Sequence, residues 1–377
     1  MKVLIIADNL GNNAPGVVFR NILAGLSKKM EFDLISSTPD YTPTHNGNYI
    51  FVKQSRIPSW RVRTSLFKLF GYYHTQKFWA KRVQKHIRRG HYDTIISLMS
   101  STFYSSLMAA DMYARKHHVK HICYCVDAVP APYPWETDKA YSNSMKRLVK
   151  NYMQTVDTLC MTNKEMLDYE VGLIGNKNIK KVVLPNPPKY NEMVMLSNEN
   201  IEPSFAYAGK IYGVRNPDAL LQGFSMFVEQ HPDAKLYFIG SGSLEAELNQ
   251  KDYPCKDHVI FIPYTRELES IYSKCIGLVD VNANIDNDVF LSSKVISYLP
   301  YNRMIISESG KNSPVRNVFK GATTVLHVSH SNTDIFTAMC TCYKSSTTSD
   351  YSERLNYISA MSMVSACRKI MDIVKEK

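Results

Sequence analysis

The feature that most constrains this chain is a repeated alternation of short, β-rich apolar runs with helical stretches. It opens on a run at Lys2 to Ala7, then a loop at Asn9 to Gly16, a helical pattern over Val17 to Lys29 and a second run at Glu31 to Ser36. Further runs stand at Thr94 to Leu98, His121 to Val126, Thr158 to Thr162 and Lys181 to Leu184. Apolar runs of this length suit strands buried on both faces, and the helices between them supply the crossovers that parallel pairing requires. The pattern predicts an α/β fold with a parallel sheet covered on both sides.

The alternation breaks once. After Pro185-Asn186-Pro187-Pro188 the apolar signal fades over Lys189 to Pro203, a proline-containing stretch without periodicity that reads as a linker. It resumes at Ser204 to Ala208, followed by a helix from about Pro217 to Gln230 with Leu220, Leu221, Phe224 and Phe227 on one face. Runs at Lys235 to Ile239, Val259 to Ile262, Gly277 to Val281 and Met304 to Ser307 continue the series. The expected domains are residues 1–188, a linker over 189–203, a second domain over 204–349, and a C-terminal helix over 350–377 able to pack back on the first domain. A length of 377 residues agrees with two hydrophobic cores.

Composition narrows the class without naming it. With 45% hydrophobic and 21% charged residues, the chain is neither a disordered segment nor a disulfide-stapled miniprotein. The opening run is short and followed by an acid and a turn, so it reads as a strand rather than a secretory leader. The stretch Thr94 to Ala114 is interrupted by serines, threonines and Asp111, and falls short of the roughly 20 apolar residues that cross a bilayer. Eight cysteines include the pairs Cys123/Cys125 and Cys340/Cys342 but no C-x-x-C, which favours buried thiols over a metal site. The expected location is cytoplasmic, with a peripheral position on the inner face of the cell membrane as an extension.

Three loops of the second half carry chemistry. The run ending Ala206-Tyr207-Ala208 enters Gly209-Lys210-Ile211-Tyr212-Gly213-Val214-Arg215 before a helix. A glycine lets backbone approach a phosphate, a helix start offers amides, and Lys and Arg neutralise charge. The next run ends in Gly240-Ser241-Gly242, where open α/β sheets place ligands, but without the third glycine of a dinucleotide fingerprint. The third loop, Ser292-Ser293-Lys294, heads an apolar helical stretch and reads either as a plain N-cap or as a second phosphate cation.

In this order the elements AYAGKIYGVRNPDALL, KLYFIGSGSLEAEL, VIFIPY and SSKVISYLPYNRMIIS resemble the C-terminal domain of the GT-B glycosyltransferases, and among them the retaining family 4 enzymes of bacterial surface-polysaccharide synthesis. The resemblance spans nearly the whole chain, with VLPNPP in the place of the interdomain segment. It implies two doubly wound Rossmann-like domains facing across a cleft. The implied activity is transfer of a sugar from a nucleotide diphospho-sugar, a UDP- or GDP-sugar, to a saccharide or lipid-linked saccharide acceptor, without a cofactor or a metal.

By the same resemblance Lys210, Arg215 and Lys294 hold the donor diphosphate, with Gly209, Gly240, Gly242 and Ser293 beside them. Gly16 stands in the first-domain glycine loop, for which a plain turn is an equal reading. Two departures are marked: Ser297 and Val289 stand where the family usually carries glutamates. Asp286-Asn287-Asp288 imitates a metal-binding D-x-D but reads as an acidic loop. Asp127, at the end of the run Tyr124-Cys125-Val126 and ahead of Tyr133, Trp135 and Glu136, is the polar residue expected nearest the transferred sugar, with a loop or cap role as the alternative. A nucleotide-sugar epimerase of the same architecture and a membrane-bound scaffold with a decayed donor site are the rival functions.

Charge is concentrated in one segment. Between Tyr41 and Tyr92 there is no Asp or Glu, while Lys53, Arg56, Arg61, Arg63, Lys68, Lys77, Lys81, Arg82, Lys85, Arg88 and Arg89 supply eleven cations, equal to the net charge of +11. Trp79, Val83 and Ile87 share one helical face opposite Lys77, Lys81, Arg82, Lys85, Arg88 and Arg89. Arg61 to Tyr73 repeats the design with Val62, Leu66, Leu69 and Phe70. Such helices suit an anionic membrane or acceptor surface; equally, their apolar faces can pack on the sheet and leave the cations solvated. No nucleic-acid motif accompanies the charge.

Overall fold

In a computed structural model the chain forms two α/β units. The structure describes residues 1–377 apart from 40, 43–45, 55–58, 72–73, 88–90, 176–177, 249–252, 347–348 and 377, so Arg56, Arg88 and Arg89 of the basic segment lie outside the described residues. Unit 1 comprises Met1–Asn186 and Met363–Lys377, and unit 2 comprises Pro187–Ser362.

Unit 1 is built on seven strands: β1 (Val3–Ala7), β2 (Asp33–Ser36), β3 (Tyr49–Phe51), β4 (Thr94–Met99), β5 (Lys120–Cys125), β6 (Thr158–Met161) and β7 (Lys180–Val183). They lie in the order β3-β2-β1-β4-β5-β6-β7, and every pair is parallel. Ile5 faces Leu34 on one side and Ile96 on the other. Burial of β1, β4 and β6 along their whole length explains why they read as unbroken apolar runs.

Unit 2 repeats the plan with β8 (Glu202–Ala208), β9 (Leu236–Ile239), β10 (Val259–Ile262), β11 (Cys275–Val281), β12 (Met304–Glu308) and β13 (Val325–Val328), in the order β10-β9-β8-β11-β12-β13. Again all pairs are parallel. Phe205 and Tyr207 belong to one apolar cluster and Ala206 to another, so successive residues of one strand feed cores on opposite faces. In each sheet the strand order reverses beside the first strand, between β1 and β4 in unit 1 and between β8 and β11 in unit 2. Crossovers there run to opposite sides and open a crevice at the carboxyl ends.

Two segments differ from expectation. The stretch 189–203 is part of unit 2 rather than a free linker: Val194 pairs with Tyr301, its amide bonds Pro300 O at 2.7 Å, and the buried Arg303 guanidinium donates to Ser197 O at 2.7 Å. These partners lie about a hundred residues downstream, beyond the reach of local periodicity. The region 350–377 is two helices, Arg354–Met361 in unit 2 and Met363–Lys375 in unit 1, parted by Ser362 in extended conformation. The second helix sends Ala366, Cys367, Ile370, Ile373 and Val374 into the cluster that holds Ile22, Leu23 and Leu26 of the helix Ala14–Ser27. The two approach closely at Gly25, where a Cβ would stand 2.6 Å from Cys367 Sγ. Among the described helices none is long and apolar enough to cross a membrane.

Candidate functional site

The loops at the unit 2 switch point converge on one lysine. Gly209, the residue after β8, has φ +128°, and a Cβ there would lie 2.8 Å from Lys294 Cε. Only glycine accepts both that backbone and that neighbour at no cost. Its amide donates to Ile239 O at 2.8 Å and its carbonyl accepts the Ser241 hydroxyl, which joins the ends of β8 and β9. Tyr207 OH fixes the next turn through Lys210 O at 3.0 Å.

Arg215 is half-buried, its guanidinium 5.1 Å from the Tyr212 ring centroid, and its backbone bridges to Ala283 beyond β11. The loop, with Leu244 and Glu247, lines a cavity of about 490 Å³. Gly209, Arg215 and Lys294 are thus brought together, whereas the Lys210 side chain is exposed. Gly240 serves the loop through its amide, which bonds Ile262 O at 2.8 Å, and Gly242 begins the short helix Gly242–Leu248.

Beneath the cations lies an acid that the sequence did not single out. Asp280, fully buried in β11, accepts the Ser292 hydroxyl at 2.8 Å and the Asn282 amide at 2.7 Å. Ser292 caps the helix Ser293–Tyr298 by accepting the Lys294 amide. Burial raises the Asp280 carboxyl, and the charges of Lys294 and Arg215 hold it down. Burial lowers the Lys294 ammonium to about 8; Asp280 opposes that fall and Arg215 deepens it. The ammonium also stands 5.1 Å from the Tyr207 ring centroid.

An acid inside the apolar run Gly277 to Val281 was the available signal, since a carboxylate in a buried strand requires partners. Glu308, at the end of β12, is buried with neither carboxylate oxygen bonded, and burial raises it to about 8. His330 Nε2 stands 3.8 Å from it.

The departures from the resembled pattern have structural meaning. Ser293 and Ser297 are exposed, and the Ser297 hydroxyl turns back to Lys294 O at 2.8 Å; Val289 is buried. Asp288 spends one carboxylate oxygen on the amides of Val289 at 2.8 Å and Phe290 at 3.3 Å.

At the unit 1 switch point the edge is acidic. Asp127 follows β5 and accepts both the amide and the hydroxyl of Ser101, at 3.2 and 3.1 Å; burial raises its carboxyl and these bonds oppose the rise. Asp8, after β1, accepts the Ser105 amide at 2.9 Å with its other oxygen unbonded, and burial raises it to about 6. The loop 100–105 after β4 therefore sits between two carboxyl groups. Ser101, Thr102 and Tyr104 of that loop, with Arg63, Phe67, Gln76 and Glu136, line a cavity of about 260 Å³. Glu170, buried beneath the loop that follows Asp127, accepts the Val129 amide at 3.0 Å and is raised by burial to about 8. The Gly16 amide is spent on the Asn13 N-cap at 3.0 Å, an ordinary helix start.

The two basic helices differ. In His74–Ile87, Trp79 is fully buried with its indole N–H on Val52 O at 2.7 Å, and Val83 and Ile87 are buried beside it. Trp79 is therefore a core residue and not a surface anchor, because the apolar face is consumed by packing. In Trp60–Phe70 Phe67 is the one residue fully withdrawn among those whose side chains are described, while Leu69 is 75% and Phe70 54% exposed. Arg61, Lys68, Lys81 and Lys85 are exposed, Arg63 and Arg82 are half-buried, and Lys68 pairs with Asp138 at 2.5 Å.

Two parallel Rossmann-like units joined in one chain define the GT-B glycosyltransferase fold. Solved structures of that fold match the chain over its whole length. HepE of Anabaena, crystallised with UDP and with UDP-glucose, superposes with a TM-score of 0.69 at 9% identity, covering 99% of each chain. The lipopolysaccharide outer core galactosyltransferase WaaB gives 0.67 at 12% identity over 99% of each chain. WaaG, a glycosyltransferase involved in lipopolysaccharide biosynthesis, gives 0.66 at 9% identity over 100% of each chain. No family model matches the sequence, and no curated protein is similar to it in sequence.

Proposed function

We propose that the protein is a glycosyltransferase that moves a sugar from a nucleotide diphospho-sugar to a saccharide acceptor, with retention of anomeric configuration. The observation that carries this reading is the gathering of Lys294 and Arg215 around Gly209 at the unit 2 switch point. Cations there hold a diphosphate and compensate the charge that grows on it as the glycosidic bond breaks. No side chain is assigned as base, since the departing diphosphate can take the acceptor proton. Asp127, at the unit 1 edge, is the residue proposed to lie nearest the sugar. UDP in HepE and the lipopolysaccharide context of WaaB and WaaG support a sugar-nucleotide donor and a surface-polysaccharide setting.

The acceptor is proposed to be lipid-linked and reached at an anionic membrane on the cytoplasmic side. The exposed Leu69 and Phe70 of one basic helix, and the exposed cations Arg61, Lys81 and Lys85 of the two, support this, since apolar insertion and roughly 1 kcal/mol per interfacial cation act together. Flotation with anionic vesicles should fall on Leu69→Ser with Phe70→Ser and on raising salt; binding indifferent to both would leave these helices as plain packing.

The enzyme itself is tested with a panel of UDP- and GDP-sugars, each with and without lipid-linked saccharide. Transfer that depends on acceptor is expected. An epimerised sugar without acceptor would replace this reading with an isomerase, and failure to bind any nucleotide would leave a scaffold.

A further inference from the structure

A buried carboxylate, Asp280, lies within reach of the charges of Lys294 and Arg215 and is held by hydrogen bonds. Asp280 bonds Ser292, the residue that caps the helix carrying Lys294, and Asn282, whose amide N–H returns to Glu308 O at 3.0 Å and whose carbonyl meets His330 Nε2 at 3.0 Å. Ser307 of β12 adds a longer contact at 3.4 Å. A carboxylate under an anion site looks counterproductive, because it repels the phosphate it sits beneath. Its compensating effect is on the lysine.

We propose that Asp280 is a positioning residue for diphosphate binding: it keeps Lys294 cationic in a half-buried place and anchors the Ser292 cap that aims it. The inference rests on the donor-site reading above. The groups facing Lys294 are Asp280 from β11, Arg215 from the β8 loop, and the Tyr207 ring from β8; Glu308 of β12 acts on Asp280, and His330 of the β13 loop stands 3.8 Å from Glu308. Of these, the Asp280 charge is the one that favours the ammonium, while burial and Arg215 act against it. Removing Asp280 therefore has two opposed consequences. It lifts a repulsion from the phosphate at every pH, and it lets Lys294 lose its proton at a lower pH.

The test is calorimetric titration of UDP and GDP into the wild type, Asp280→Asn, and Asp280→Asn with Lys294→Arg, from pH 6 to 9. Wild-type affinity should hold to pH 7 and decline through pH 8. Asp280→Asn should equal or exceed the wild type at pH 6 and bind about tenfold more weakly near pH 8. Restoring a fixed charge with Lys294→Arg should flatten that decline, which a variant that had merely lost its fold could not do. Asp280→Asn running parallel to the wild type, or tighter at every pH, would overturn the proposal. So would a decline that Lys294→Arg leaves in place. A wild type that binds no nucleoside diphosphate at any pH would instead remove the donor-site reading, and this assignment with it.

Discussion

The two sheets share one plan and differ in the titratable side chains at their carboxyl edges. In unit 1 the switch point is flanked by Asp8 and Asp127, with Glu170 buried nearby; in unit 2 it gathers Arg215 and Lys294 above Asp280. Parallel winding creates the crevice in both, so architecture alone does not say what either holds. Side chains decide that. A pair of cations favours a phosphate, and a pair of carboxylates repels one. The difference supports the proposed division of donor and acceptor chemistry between the units.

The comparison breaks most readily at the cations. Arg215→Ala with Lys294→Ala should weaken UDP or GDP binding about a hundredfold while leaving the nucleoside nearly unchanged, as calorimetry would show. Equal losses for both ligands would mean that the loop is structural. At the other edge Asp127→Asn should slow transfer about tenfold with donor affinity intact; a parallel loss of donor affinity would erase the division of labour.

The smallest effect concerns the buried glutamate of each unit, Glu170 and Glu308, both raised by burial from 4.5 to about 8. The folded state keeps a proton that the unfolded chain releases, so each group's contribution is full below about pH 4.5 and is lost as pH rises toward 8. Glu170→Gln and Glu308→Gln cannot ionise. Each should match the wild type at pH 4.5 and be the more stable of the two at pH 8, as denaturant titration at both pH values would show. A gain in one unit alone would show that only that edge keeps its acid neutral.

The sheets were legible in the sequence because buried parallel strands are continuous apolar runs, and eleven of the thirteen described strands stand where such runs do. The two that escaped, β3 and β13, are edge strands of three and four residues with partly exposed side chains. β7 and β10 are edge strands of four residues and no better buried, yet they read as runs, so length and burial alone do not explain the two that escaped. The glycine and cation loops of unit 2 were legible for a related reason, since glycine and cation sit together at a strand end. Asp280 was not, because its partners Ser292 and Asn282 act only once β11 is buried.

The basic helices are the clearest case of ambiguity: one pattern, written twice, is spent on the core around Trp79 and left open at Leu69 and Phe70. Amphipathicity reports that a face seeks cover, not what covers it.

The helix Met363–Lys375 has a consequence for the order in which the molecule is made. Its residues complete the core around Ile22, Leu23 and Leu26, yet all of unit 2 is synthesised before it. A chain growing from its N-terminus therefore exposes an apolar seam of unit 1 until this helix leaves the ribosome, while unit 2, continuous in sequence, can close beforehand. Of the two units, the one begun earlier is completed later.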